Sequence, residues 1–382
     1  MDFDLSREQK DIVRAAREFA MGEFTPERIE DFERDENFDE KIWKKACQLG
    51  FVGVWINEEY DGAGMGFFEN CLITEEFSVV DLGCALSVGA TCFGSEIIQT
   101  FGRQSQKTQY LPPLVKGETK MGNAITEPDA GSDTAGAKTV ANRDGDDYVI
   151  NGSKMFITNA LRADYVLVFA RTDPDNPNPH RRHSFILVET DRPGYSAHKL
   201  YGKMGIRASE TCEITFSDVR VPVSNLIGSK EGDGFKQLMA FFNMTRCFVA
   251  AQAVGVARAA LEETIAYVKQ RHAFGQPLAR QQATQFKVAE MYTRIRASRA
   301  MLYEAAWKVD RGQIDHALVA AAKWFAARTA VECADTALQA HGGYGYFADY
   351  KVNRLYRDAK ILEIYEGTTD IEKIIIGRSL LR

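Results

Sequence analysis

Tyr165-Val-Leu-Val-Phe-Ala170 is an apolar run rich in β-branched and aromatic side chains. It reads as a strand. Working outward, Ser184-Phe-Ile-Leu-Val188 and Cys212-Glu-Ile-Thr-Phe216 have the same character. Tyr148-Val-Ile150 lies between the turn sequence Asp144-Gly-Asp-Asp147 and Asn151-Gly152, which predicts a hairpin-like arrangement. Residues 173–183 are polar and contain proline, so they read as a surface loop. The middle of the chain, from about 135 to 222, is therefore a β unit.

On either side of it the apolar pattern follows the helical period. Ser6-Arg-Glu-Gln9 is a capping box, and Ile12, Val13, Ala16, Phe19 and Ala20 follow at helical spacing. A second helix is predicted from Asp39 to Leu49, stopping at Gly50, and a third from Phe67 to Val80 after the glycine-rich turn 62–66. Beyond Gly232 the spacing predicts long helices over 234–270, 281–309 and 315–339. The expected architecture is α+β: an N-terminal helical domain over residues 1–122, a middle barrel-like or sandwich β domain over 123–232, and a C-terminal four-helix bundle over 233–382.

Composition narrows the function. With 382 residues, two or three packed units are expected rather than one small core. The net charge of −6, with no run of five like charges, gives no basic stripe for nucleic acid. The seven cysteines are odd in number and form no Cys-x-x-Cys pair, so neither a disulfide framework nor a zinc ribbon is expected. Free thiols in a reducing cytoplasm are the simplest reading. The N-terminus lacks the basic-then-apolar pattern of a signal peptide, and no uninterrupted apolar run approaches the ~18 residues of a membrane span.

Three segments carry chemistry. Ile125-Thr-Glu-Pro-Asp-Ala-Gly-Ser-Asp133 gathers hydroxyls, a turn proline and a glycine, and can present donors to a pyrophosphate and a ring edge; alone it is equally a solvated turn. Asn151-Gly-Ser-Lys-Met-Phe-Ile-Thr-Asn159 reads as a turn leading into a strand with Phe156 and Thr158 on one face, suited to a flat heterocycle or to half-burial. Ile364-Tyr-Glu-Gly-Thr-Thr-Asp370 sets an acid beside a glycine in an apolar stretch, where burial would make Glu366 a better base; the local alternative is a helix cap. Weaker patterns are set aside. Gly62-Ala-Gly-Met-Gly66 lacks the dinucleotide-binding spacing. His180 and His183 lie in a charged loop without a third ligand and are expected to be solvated, so no metal is expected.

Together and in this order the segments resemble the acyl-CoA dehydrogenase family over essentially the whole chain. The resemblance includes Thr126-Glu-Pro-x-Ala-Gly-Ser-Asp133, Asn151-Gly-x-Lys-x-Phe-Ile-Thr-Asn159, Arg271-x-x-Phe-Gly275, Gln339-x-x-Gly-Gly-x-Gly-Tyr346 and Arg357-Asp-Ala-Lys-x-x-x-Ile-Tyr-Glu-Gly-Thr368. It implies FAD-dependent α,β-dehydrogenation of an acyl-CoA thioester, with Glu366 taking the α-proton and hydride passing to flavin N5. Some members carry the acid just before the arginine of the central helix; here Thr245 precedes Arg246, leaving Glu366 without a rival. In family members the backbone N–H of the glutamate helps bind the thioester oxygen.

The resemblance also assigns FAD contacts to Ile125, Thr126, Ser132, Phe156, Thr158 and Thr368. Arg271, Phe274, Gln282, Gln339 and Gly343 match positions that reach the FAD of a neighbouring subunit, which implies a homo-oligomer, expected to be a tetramer. Ser132, Asn243, Arg246 and Gly367 are expected on the CoA and thioester side. Ala85, Gly89 and Thr91 are expected on the acyl wall. Glutaryl-specific relatives place an arginine where Cys84 stands, which argues against a dicarboxylate. Small Ala85 and Gly89 suggest lateral room for a compact butyryl-like or cyclohexanecarboxyl-like group. An electron-transfer flavoprotein is the implied acceptor. An oxidase or reductase using the same site stays open, as does an inactive CoA- or flavin-binding assembly, against which intact Glu366 and the flavin loop count.

Overall fold

The computed structural model describes residues 4–381. The chain enters through α1 (Arg7–Glu23), α2 (Pro26–Asp35), α3 (Glu40–Gln48), α4 (Phe67–Val80), α5 (Leu82–Gly89), α6 (Ser95–Phe101) and α7 (Gln104–Lys116). Local chemistry sets their starts. Ser6 and Gln9 form the expected capping box on α1, Thr25 caps α2 ahead of Pro26, and Asp39 caps α3. Asp81 caps α5 by accepting the Cys84 N–H at 2.8 Å. The start of α4 is filled from far along the chain, because Asp310 accepts the N–H groups of Phe67 and Phe68 at 2.6 and 3.0 Å.

The β unit holds β1 (Met121–Ala124), β2 (Val140–Asp144), β3 (Asp147–Thr158), β4 (Tyr165–Arg171), β5 (His183–Glu189), β6 (Tyr195–Lys199) and β7 (Thr211–Pro222) in one sheet. The opening run forms β4, which pairs parallel with β1, antiparallel with β5 and, at Arg171, with β2. The antiparallel series β2–β3–β7–β6 completes the sheet.

Two sequence expectations are corrected here. Asn151-Gly152 is not a turn, since β3 continues through it with an irregularity in its register against β7 between Ile150 and Gly152. Gly152 is needed because its backbone passes so close to Thr139 that a Cβ would stand 2.8 Å from the Thr139 Cα, and its φ is 145°. Asn151 instead exchanges two 2.9 Å hydrogen bonds with Asp218 on β7. His183 is not solvated either. It opens β5 fully enclosed, stacks on Phe169 at 4.4 Å and pairs through Nε2 with the Ala137 carbonyl at 3.0 Å. Burial pushes its pKa down to about 4.

The chain ends in α8 (Gly234–Gln270), a short hairpin of β8 (His272–Ala273) and β9 (Gln276–Pro277), then α9 (Gln282–Asp310), α10 (His316–His341), α11 (Lys351–Ala359) and α12 (Thr369–Leu380). α8 is long and apolar enough to cross a membrane by length and composition, yet 78% of that window is buried. α4, α9 and α10 pack on it, so its apolarity is that of a central core helix. One apolar core runs beneath both helical domains, while the sheet carries a second. All seven cysteines are unpaired and buried.

Candidate active site

Glu366 sits in the connection between α11 and α12 with φ +53°, a left-handed conformation that non-glycine residues seldom adopt. Three helices hold the segment there. From α8, the Thr245 hydroxyl donates to Glu366 Oε2 at 2.6 Å, and Gln252 Oε1 accepts from the Tyr365 hydroxyl at 2.5 Å. From α10, the buried Lys323 ammonium donates to the Gly367 carbonyl. On α12, Glu372 crowds Gly367, where a Cβ would meet its Oε1 at 2.0 Å, and the φ of +109° there favours glycine beside the acid. Thr368 caps α12, accepting from the Ile371 N–H at 3.4 Å.

The electrostatics leave Glu366 basic. Burial raises its pKa, opposed by the Thr245 hydrogen bond and by the charges of Arg246 and Lys323. Arg246 is itself buried, pairing through Nε with Glu372 at 2.9 Å. The other oxygen of Glu372 has no hydrogen-bond partner among the described residues. Burial pulls Lys323 down to about 8. Sequence reasoning missed Glu96, an enclosed acid on α6 that accepts the Gly94 N–H at 3.0 Å. Burial lifts it to about 7, with the charge of Glu366 adding to the rise. An acid within an apolar helix was the only signal available for it.

The loop after β1 is braced from beneath. Lys154, fully buried on β3, donates to the carbonyls of Ile125 and Phe169 and to Glu127 Oε1, at 2.9, 2.7 and 2.9 Å. Glu127 also accepts the N–H groups of Lys138 and Thr139 at 2.6 and 2.8 Å. Both residues lie inside motifs quoted above, yet neither was given a role. Above the brace, the hydroxyls of Thr126, Ser132 and Thr158 make no hydrogen bond to the protein among the described residues. Phe156 sits at an irregularity of β3 with φ +62° and stands 66% exposed. The strand's simple alternation is broken there, and the ring projects instead of packing. An outward ring beside unpartnered hydroxyls fits a flavin, while Ile125 is buried in the loop's base.

The acyl wall differs from expectation. Gly89 leaves no lateral room, because a Cβ there would stand 2.9 and 3.1 Å from the Cζ and Cε2 of Phe248. Ala85 is enclosed. Thr91 is buried with its hydroxyl already engaged, accepting from Trp43 Nε1 at 3.0 Å and donating to the Val88 carbonyl at 2.8 Å. Asn243 is buried with Oδ1 3.1 Å from His316 Nδ1. Arg271, Phe274, Gln282, Gln339 and Gly343 are all exposed, Phe274 at 96%, and Arg271 lies over the Tyr344 ring at 5.6 Å.

Helices, sheet and helices in this order, together with a buried acid, an exposed ring and hydroxyls that lack protein partners among the described residues, are those of an oxidoreductase of the flavin-dependent class. Three family descriptions match in sequence: acyl-CoA dehydrogenase N-terminal domain over residues 6–118, middle domain over 122–219 and C-terminal domain over 232–381. The chain belongs to the acyl-CoA dehydrogenase family, whose members use FAD. It is 40% identical to an acryloyl-CoA reductase (NADH) of Anaerotignum propionicum over 100% of this chain and 96% of the relative. Among solved structures, butyryl-CoA dehydrogenase from Megasphaera elsdenii matches with TM-score 0.96 and 37% identity over 100% of both chains. A chain from work on the electron transferring flavoprotein of Acidaminococcus fermentans and flavin-based electron bifurcation matches with TM-score 0.96 and 39% identity, again over 100% of both.

Proposed function

We propose that the protein oxidises a short, monocarboxylic acyl-CoA thioester to its 2-enoyl product. One observation carries the reading: the Glu366 carboxyl is buried with a raised pKa, held by the Thr245 hydroxyl at 2.6 Å, and no acid stands at 245 to replace it. Glu366 takes the α-proton. Its burial favours the protonated product of that step, and the Thr245 hydroxyl fixes the carboxyl through Oε2. Lys323 and Gln252 fix the neighbours on each side, so the acid meets the α-carbon without reorganising. Ile125, Thr126, Ser132, Phe156, Thr158 and Thr368 would hold FAD, which when bound would supply the acceptor for the hydride leaving the β-carbon.

The occupied space at Gly89 removes the argument for a ring substrate and favours a butyryl-like chain. Cys84 is an uncharged, enclosed thiol and offers a distal carboxylate no partner. Anaerobic titration of the FAD-loaded protein with butyryl-, octanoyl-, cyclohexanecarboxyl- and glutaryl-CoA tests this through flavin bleaching. Butyryl-CoA should bleach fastest; preference for octanoyl- or glutaryl-CoA by more than about tenfold overturns it.

The relative described as a reductase supports a second reading, in which the same groups run in reverse. Turnover with an electron-transferring flavoprotein as acceptor, compared with NADH-driven reduction of acryloyl-CoA, separates the two. The assembly we infer is a homotetramer in a reducing cytoplasm. The exposed Arg271, Phe274, Gln282, Gln339 and Gly343 support the former and the unpaired thiols the latter. Light scattering that shows an FAD-saturated monomer refutes the tetramer.

A further inference from the structure

Phe241, Thr245, Phe248 and Gln252 recur on α8 at helical spacing and share one face. Thr245 holds Glu366 and Gln252 holds Tyr365, so this face borders the segment carrying the base. Phe248 stands between them, 3% exposed. Its ring fills the space that a side chain at Gly89 on α5 would take, with contact atoms 2.9 and 3.1 Å from that Cβ position. Phe93, in the turn after α5, closes on it edge-to-face at 5.3 Å and on Phe241 at 6.2 Å. Proton abstraction uses none of these rings.

We propose that Phe248, seated on Gly89 and braced by Phe93, is the stop that limits acyl length in front of Glu366, so that the site selects short-chain thioesters. This rests on the reading of Glu366 as the α-proton base. A chain whose α-carbon lies at Glu366 must direct its remaining carbons away from that carboxylate, and the gap between α8 and α5 is closed by aromatic rings. A longer chain has to displace a ring that edge-to-face packing holds in place. Gly89 belongs to the same device, because a Cβ there would stand 2.9 Å from the ring and force it to shift.

The test uses FAD-loaded protein and the ratio of octanoyl-CoA to butyryl-CoA reactivity, measured as anaerobic flavin reduction. Phe248→Ala should raise that ratio by about ten- to a hundredfold. Phe248→Leu should raise it less and supplies the same reading if the alanine variant loses FAD. Gly89→Ala should slow butyryl-CoA, and adding Phe248→Ala to it should restore the rate, a non-additivity that general loosening of the fold does not produce. An unchanged ratio in variants that retain flavin, with the wild type reduced normally by butyryl-CoA, overturns the role of Phe248 and leaves Glu366 untouched. If no thioester reduces the wild-type flavin, the reading of the reaction fails and this proposal fails with it.

Discussion

Two of the buried clusters of acid and cation differ in how completely each is bonded. Beneath the flavin loop, Lys154 makes three hydrogen bonds and Glu127 receives two backbone N–H groups besides the lysine. Burial works to raise Glu127, but the Lys154 charge and these donors bring it down to about 2. Burial pulls Lys154 down to about 8, still above neutrality, so the pair stays ionised. Around Glu366, one hydroxyl serves the acid, Glu372 keeps an oxygen unpartnered, and Glu96 rises to about 7. A fully bonded pair holds its charges fixed and braces a loop. A partly bonded set keeps its protonation states close in energy, which a proton-transferring group requires.

The largest expected effect tests the second cluster. Glu366→Gln keeps the size of the side chain and removes its basicity. Flavin reduction by the best substrate should fall at least ~10²–10⁴-fold, with FAD content unchanged. Near-normal turnover would show that the under-bonded acid is not the base.

The first cluster should fail by losing stability. Lys154→Met removes one partner of a buried pair and leaves Glu127 uncompensated, at a cost of ~3–5 kcal/mol. Denaturant unfolding of the wild type and the variant measures it, and flavin should be released earlier in the transition. Because Glu127 is depressed, the stabilisation is complete above the ordinary carboxylate range and is lost as the pH falls toward about 2. A midpoint unchanged at neutral pH would mean that the brace is idle.

The same contrast separates what the sequence shows from what it hides. Helix α8 spans the expected 234–270, because apolar period and the absence of proline are local properties. Glu366 is legible as a lone acid beside glycine in apolar surroundings. Lys154 and Glu127 are visible as letters but not as partners, since their pairing depends on where β3 passes under the loop. Asn151-Gly152 has the composition of a hairpin turn, yet the close approach of Thr139 decides its conformation. Strand β1 was missed because a short segment is stabilised by parallel pairing with the distant β4. Phe248 is one apolar residue among many in its helix, and only tertiary packing reveals that it occupies the space above Gly89.

The smallest predicted change gives the finest test of the contrast. Thr245→Val keeps the shape of the side chain but removes the hydroxyl that donates to Glu366. That hydrogen bond favours the ionised acid and opposes the rise caused by burial, so its loss should raise the pKa further. A hydrogen bond to a charged group contributes ~1.5–3 kcal/mol, equivalent to about one to two pH units. The reaction needs ionised Glu366, so the rate climbs as pH rises through that pKa, and the acid limb of kcat/KM should move to higher pH. Above the displaced limb the rate should recover, because the base is still present. Arg246 and Lys323 also act on Glu366 electrostatically, Glu366 in turn acts on Glu96, Glu372 and Tyr365, and all five are unchanged in this variant, so the displacement reports the hydroxyl alone. A limb that stays in place while the rate falls at every pH would give Thr245 a purely steric role and would leave burial and the neighbouring charges to set the basicity of Glu366.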